Sequence, residues 1–290
     1  MNKAAHSLLV GLCAATFITS VVAAEDKPRL VSMDYCADQF ALALADPEQV
    51  VGLSPEADDI HSFYRHRAHL FPQFGGSIEE VLKLDPDLVL RSFGGNVQGL
   101  ELIAQQGIQI ISTLYTGKPD EIFDNLAHMG AAMGQVARTE AMLADYRQRL
   151  DALRDHNQQQ RLRVAYITSS GFTGGTSTYI NSVIELAGFR SVSSKLGIEG
   201  WMPIPLESYV ANPPDLIIAS FFDLQNRPPD VWKIVRHPKF SEMMAGIPTI
   251  YIPGRYLACS GYFFIDAAEY IRAEAKKLGL LNPEVSEVQP

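Results

Sequence analysis

Short apolar runs alternate with amphipathic stretches along most of the chain. RLVSM (29–33), VVGLS (50–54), DLVLR (87–91) and QIISTL (109–114) have the length and β-branched content of buried strands. Between them ADQFALALA, SIEEVLKL and NVQGLELIAQQG carry helical spacing, the last stopped at Gly107. Strands separated by single helices at this short spacing predict βαβ crossovers and a parallel sheet. The texture then changes. From Arg138 to about Asn157, Leu143, Tyr146, Leu150 and Leu153 recur at helical spacing with charges between them and no Gly or Pro. That predicts one amphipathic helix of ~30 Å. Alternation resumes with RVAYITSS (163–170), a helix through NSVIELAG, DLIIAS (215–220) and TIYIPG (249–254), and closes on FIDAAEYIRAEAKKLG. The expected fold class is α/β, with two Rossmann-like lobes, each built on a parallel sheet, joined by one rigid helix. The expected boundaries are 1–24 for a leader, 25–137 for the first lobe, 138–160 for the linking helix and 161–290 for the second lobe.

One unit is written twice. SIEEVLKLDPDLVLRSF, opening at Ser77, returns as PLESYVANPPDLIIASF, opening at Pro205, with each landmark displaced by 128 positions. Glu79 corresponds to Glu207, Pro86-Asp87-Leu88 to Pro214-Asp215-Leu216, and Ser92-Phe93 to Ser220-Phe221. The same helix, turn and strand is therefore expected once in each lobe. A carboxylate in the first turn of a helix gains from the helix dipole. Two such groups at matching, exposed places also form a two-point dock for a symmetric basic partner.

Composition adds a compartment. Lys3, the run LLVGLCAATFITSVV and Val22-Ala23-Ala24 make a positive start, an apolar core and a small-residue cleavage site, which predicts an export signal removed near Ala24 and soluble release. A lipoprotein reading of Cys13 requires a small residue before it, and Leu12 is large. The net charge of −9 becomes −10 once Lys3 is lost, which disfavours nucleic acid and anionic membranes as partners. Export leaves Cys36 and Cys259 where disulfides persist, and a single bridge between them is expected. They fall in different predicted lobes, however, and a bridge needs Cα atoms within ~7 Å. The alternative is two separate thiols.

Catalytic motifs are absent: the chain has no G-x-S-x-G, H-E-x-x-H, Walker loop or C-x-x-C. GFTGGTS (171–177) lacks a following Lys and reads as a flexible loop after a strand. His61, His66 and His69 lie close together, either as a metal or haem site or on a solvated basic helix; no Cys or carboxylate pattern completes a metal set. Aromatic residues gather after strand ends: Tyr35, Phe93 and Tyr115 in the first lobe, Phe172, Phe221, Phe222 and Tyr256 in the second, with Trp201 in the loop GIEGWMP. Loops at strand carboxyl ends are where open α/β sheets bind ligands. With Arg91 and Arg255, these rings predict a cleft for a bulky, partly apolar ligand that can carry negative charge.

The export signal, RLVSMDYCADQFALAL, GGSIEEVLKLDPDLVL, the long helix and PLESYVANPPDLII together resemble periplasmic substrate-binding proteins of ABC importers, in the branch that carries iron–siderophore complexes, haem and vitamin B12. The resemblance covers nearly all of the chain after the leader. It implies a ligand cleft between two lobes, no catalysis, no resident cofactor or metal, and a monomer that works with a permease dimer. Ferric siderophore is the first expectation for the ligand, with cobalamin or haem next. The family places one glutamate per lobe against permease arginines, a role that falls here to Glu79 and Glu207. Relatives that hold bare metal use several His and carboxylates per lobe, whereas the second lobe here offers only His237. Two rival uses of the same frame are a secreted hydrolase or siderophore-processing enzyme, for which no Ser-His-Asp set is readable, and a ligand sensor.

Overall fold

A computed structural model describes residues 27–93, 99–156, 162–220, 238, 242 and 245–281. The expected leader, Phe221, Phe222 and His237 lie outside these residues. The first lobe runs β1 (Leu30–Ser32), α1 (Tyr35–Leu44), β2 (Val50–Gly52), α2 (Arg65–Ala68), α3 (Ile78–Leu84), β3 (Leu88–Arg91), α4 (Leu100–Gln105), β4 (Gln109–Ser112) and α5 (Pro119–Ala132). After α6 (Val136–His156) come β5 (Arg163–Thr168), β6 (Phe172–Gly174), α7 (Tyr179–Leu186), β7 (Arg190–Ser191), α8 (Val192–Lys195), β8 (Trp201–Pro203), α9 (Leu206–Ala211), β9 (Leu216–Ser220), β10 (Thr249–Tyr251) and α10 (Phe264–Lys277). Among the described residues each lobe has a four-stranded parallel sheet, ordered β2-β1-β3-β4 and β7-β5-β9-β10. Matched strand for strand, the two orders are the same.

The duplicated unit has a mechanical explanation. Asp87 accepts a hydrogen bond from the Arg29 amide at 2.8 Å, and its own amide donates to the Arg29 carbonyl. Asp215 does the same with Arg163, also at 2.8 Å. In each lobe the Pro-Asp-Leu turn thus clips the start of the central strand to the start of its neighbour, setting Leu30 beside Leu88 and Val164 beside Leu216. The helix before the turn is fixed with it. Glu79 and Glu207 are each the second residue of that helix, α3 and α9, and both are exposed.

Helix α6 buries the predicted stripe of Leu143, Tyr146, Leu150 and Leu153. Toward the first lobe it packs on α5, where Gly130 leaves room for Thr139 that any side chain would fill. Toward the second it packs on α10. There Arg149 donates to Asp266 at 2.8 Å and to Glu269 at 3.0 and 2.5 Å, while the Tyr146 hydroxyl donates to Asp266 at 3.0 Å. A helix held by both lobes, with no Gly or Pro, offers no obvious hinge.

A second connection was not foreseen as a structural element. Between β10 and α10 the chain returns to the first lobe as a strap over residues 252–263. Tyr262 donates its hydroxyl to the Gln39 carbonyl at 3.0 Å, Phe263 stacks on Phe63 with centroids 4.4 Å apart, and Tyr262 meets Phe40 edge-on at 5.4 Å. One apolar core consequently runs through both lobes.

Two buried polar residues of α1 hold the long loop after β2. Asp38 accepts from the Ser54 amide at 3.2 Å and from its hydroxyl at 2.6 Å. The Gln39 side chain donates to Ser62 Oγ and accepts from the Tyr64 amide, both at 2.7 Å. Burial pushes the Asp38 carboxyl up to about 7, against the pull of its serine hydrogen bonds, and the Asp34 charge adds to the rise.

Two outcomes are expected. Small-angle scattering should give the same radius of gyration with and without ligand, because α6 and the strap both join the lobes; marked compaction would show that one of them gives way. For Asp38, a native value above that of the unfolded chain stabilises the fold at low pH, and the gain is lost as pH rises from about 4 to about 7. Urea unfolding across that window should show wild type losing stability relative to Asp38→Asn, and a pH-independent difference would contradict this.

Candidate functional site

At the carboxyl ends of the two sheets lies a cavity of about 380 Å³. The first lobe contributes Tyr35, His61 and Tyr115, the second Tyr166, Tyr179, Ile180 and Trp201, and the strap Leu257, Ala258 and Ser260. Its position follows from topology: in each sheet the order reverses beside the first strand, which opens a crevice for the following loops.

Each wall has a local cause. Tyr35 opens α1, whose cap, Asp34, accepts from the Cys36 and Ala37 amides at 3.1 and 2.9 Å and from the Ser92 amide at 2.7 Å. One carboxylate therefore fixes both the helix start and the end of β3. Tyr179 holds the equivalent place in the second lobe, opening α7 behind the Thr178 cap. Its hydroxyl is engaged, donating to the Tyr256 and Gly261 carbonyls at 3.1 Å each and so bracketing the strap. Asp59 accepts from the His61 amide at 2.8 Å and shapes the turn that carries the imidazole. The Asn125 side chain accepts from the Leu114 amide at 3.0 Å and donates to its carbonyl at 2.8 Å, pinning the chain just before Tyr115.

The lobes meet at the rim. Trp201 Nε1 donates to the Tyr115 hydroxyl at 3.1 Å across the mouth. Close by, Gly117 lies so near the Thr178 backbone that a Cβ there would come within 2.6 Å of its carbonyl carbon. Trp201 is presented by a two-stranded antiparallel ribbon of β6 and β8, in which Gly174 pairs with Trp201 and Phe172 with Pro203. This corrects the reading of GFTGGTS as a flexible loop and of Trp201 as a loop residue. Gly175 is required because a side chain there would collide with the Ile198 carbonyl.

Of the sequence-predicted ligand residues, Tyr35, Tyr115 and Trp201 line the cavity. Phe93 lies against Tyr115 on the rim, with centroids 4.7 Å apart, and Phe172 is exposed on β6. Arg91 ends β3 and is partly buried. Arg255 lies over the Tyr256 ring at 4.8 Å, and Tyr256 stacks on Tyr270 at 5.1 Å, so this part of the strap packs on α10. Sequence reasoning did not single out Tyr166, Tyr179, Ile180 or the strap residues. Tyr179 had a readable signal, a tyrosine directly after a helix cap, as at Tyr35. The histidines part company: His61 lines the cavity, whereas His66 and His69 are exposed on α2 and its end. Among the described residues no three His, Cys, Asp or Glu side chains are grouped to hold a metal.

The cavity is electrically plain. No Lys or Arg is among the described residues that line it. Burial raises the Tyr35 phenol above its ordinary value, and the charges of Asp59, Asp34 and Glu56 add to that rise. Burial likewise raises Tyr166 and Tyr179. All three phenols are therefore neutral donors or acceptors near pH 7. The Tyr166 and Ser220 hydroxyls are buried near one another without hydrogen-bonding geometry between them. The walls can stack on a large unsaturated surface and hydrogen-bond its polar edges.

Comparison with known proteins agrees with this architecture. The chain is 25% identical over 209 residues to a cobalamin-binding protein of Halobacterium salinarum, a match covering 69% of this chain and 56% of the relative, so the chain spans little more than half of that protein's length. It is 25% identical over 224 residues to a vitamin B12-binding protein of Yersinia pestis, covering 76% of each chain. Among solved structures, the periplasmic heme-binding protein RhuT of Roseiflexus superposes with a TM-score of 0.68 at 22% identity, covering 86% of this chain and 99% of that one. The periplasmic vitamin B12 binding protein BtuF of Vibrio cholerae superposes with a TM-score of 0.63 at 21% identity, covering 88% and 99%. At those identities the structures speak for the fold. The periplasmic binding protein family profile matches residues 30–248, most of the chain. With two like lobes, one joining helix and a cleft between them, this chain belongs to the periplasmic binding protein family.

Proposed function

We propose that the chain captures a metal chelate in the cleft between its lobes and delivers it to the permease of an ABC importer. The observation that carries this reading is the wall of tyrosine, tryptophan and aliphatic side chains converging from both lobes on one cavity. Such a wall suits a large, flat, largely neutral chelate. A corrinoid fits this description best, ahead of haem with its two carboxylates and of anionic ferric siderophores, which gain from lining cations. That reverses the expectation of a ferric siderophore first; Arg91 and Arg255, read from the sequence as suiting an anionic ligand, are not among the described residues that line the cavity. The names of the Halobacterium and Yersinia relatives point the same way. At about 380 Å³ the cavity is near the low end for ligand sites, and a corrinoid would also occupy the rim once Trp201 parts from Tyr115.

Export to the periplasm, action as a monomer and the absence of turnover belong to the same reading. Among the described residues no helix is long and apolar enough to cross a membrane. Glu79 and Glu207 are the proposed docking pair, each exposed at the second position of equivalent helices and neither among the described residues that line the cavity.

Fluorescence titrations with cyanocobalamin, haemin and ferric hydroxamate and catecholate complexes should rank the corrinoid first, with a Trp201→Phe variant separating its signal from that of Trp232. Tighter binding of a ferric siderophore would overturn the ranking, and hydrolysis of a siderophore ester would overturn the non-enzymatic reading. Changing Glu79 and Glu207 together to Arg should abolish uptake with ligand affinity unchanged; a tenfold loss of affinity, about 1.4 kcal/mol, would place them in the ligand site instead.

A further inference from the structure

Cys36 and Cys259 are bonded, with Cα atoms 5.2 Å apart and a separation of 223 positions along the chain. The place of the bond matters more than its presence. Cys36 directly follows Tyr35, and Cys259 stands between Ala258 and Ser260; all three neighbours line the cavity. The bond therefore joins two pieces of cavity wall, one from the first helix of the first lobe and one from the strap. Around Cys259 the strap has little regular structure of its own, only a single 3-10 turn at Gly254–Tyr256, and Ser260 has a positive φ of 46°. Other fastenings flank the bond: the Tyr179 hydroxyl at the Tyr256 and Gly261 carbonyls, the Tyr262 hydroxyl at Gln39, and the Tyr262 and Phe263 rings on Phe40 and Phe63. At the rim, the described contacts between lobes include the Trp201–Tyr115 hydrogen bond and the close approach of Gly117 to the Thr178 backbone, with no covalent link.

We infer that the Cys36–Cys259 disulfide is a positioning element of the ligand site, holding the strap against α1 as a fixed floor and leaving the rim as the part that yields. This rests on the cavity being the ligand site. A preformed floor spares the ligand the cost of ordering a loosely structured segment, so the bond acts on affinity through the folded state. It also stabilises the fold by restricting the unfolded chain, and that effect is spread over the whole molecule. The two contributions differ in where they are felt, and this makes them separable.

The test uses the mature protein in three forms: wild type, the Cys36→Ser/Cys259→Ser double variant, and wild type reduced with dithiothreitol. In the reduction the dithiol is oxidised to its cyclic disulfide, while the two cysteines each gain an electron and a proton. Both cysteines are partly buried, so a small thiol can reach them. Hydrogen exchange read by mass spectrometry is independent of ligand. Loss of the bond should raise exchange at 257–261 by about tenfold or more, with β3 and β9 unchanged. Tyr262→Phe, which removes a neighbouring fastening and keeps the bond, should leave exchange at 257–261 within about twofold of wild type. Cyanocobalamin should dissociate at least about tenfold faster from the bond-free forms, well below their unfolding temperatures.

Unchanged exchange at 257–261, or faster exchange spread evenly over the sheets, overturns the inference, as does an unchanged dissociation rate. If the double variant does not fold, the reduced wild type decides by the same readouts. If wild type binds no cyanocobalamin, the corrinoid reading fails by itself and the exchange measurement still decides whether the bond fixes the floor.

Discussion

A helix with its apolar residues on one stripe can join two lobes only if both lobes present a surface to that stripe. Here α5 lies along α6 from the first lobe and α10 from the second, and Leu143, Tyr146, Leu150 and Leu153 are buried between them. The polar contacts at the second junction do more than add attraction. Arg149 is flanked by Asp266 and Glu269, both of α10, and the Tyr146 hydroxyl shares Asp266. A charge partly removed from water is costly unless its partners are placed to meet it, so this cluster favours one seating of α10 against α6 over its neighbours. The strap starts at β10 and ends at α10, so the seating of α10 also sets where the strap meets the first lobe.

The parts that were legible in the sequence are those whose cause is local. The strand–helix alternation was readable because parallel strands buried on both faces need continuous apolar runs. The doubled Pro-Asp-Leu unit was readable because its aspartate bonds to a backbone group whose position the sheet dictates. The long helix was readable from its stripe, although it starts at Val136, before the expected boundary. The strap was not legible. CSGYFF carries no periodicity, and what holds Tyr262 and Phe263 is a set of rings on Phe40 and Phe63, more than 190 positions earlier in the chain. The turn residues of GFTGGTS were seen correctly and given the wrong cause: glycine marks close approach of backbones as readily as it marks freedom, and only the partner, Ile198, tells the two apart.

The site shows the same division. An aromatic residue just past a strand lies at the correct end of the sheet, but the rule does not say which way it faces. Tyr35, Tyr115 and Trp201 turn into the cavity, while Tyr256 turns to Tyr270. The tyrosines the rule overlooked come from inside elements, Tyr166 within β5 and Tyr179 at the first position of α7. Their phenols are protonated at neutral pH in any case and burial raises them further, which leaves the cavity a surface of fixed dipoles and rings with few of the charges that would favour one ionic form of a ligand.

The equal strand orders of the two sheets have a consequence for encounter. Equal orders are what a half-turn about an axis between the lobes would produce, and such a turn would carry Glu79 toward the place of Glu207, on an equivalent helix. A partner with a true twofold axis would meet nearly the same pair of carboxylates whichever way the protein arrived. Two landings would then be productive where a protein without this internal likeness has one, a statistical gain of about 0.4 kcal/mol in association that depends on no additional contact. A ligand held in the cavity between the lobes would lie close to that axis and present the same side to the partner after either landing.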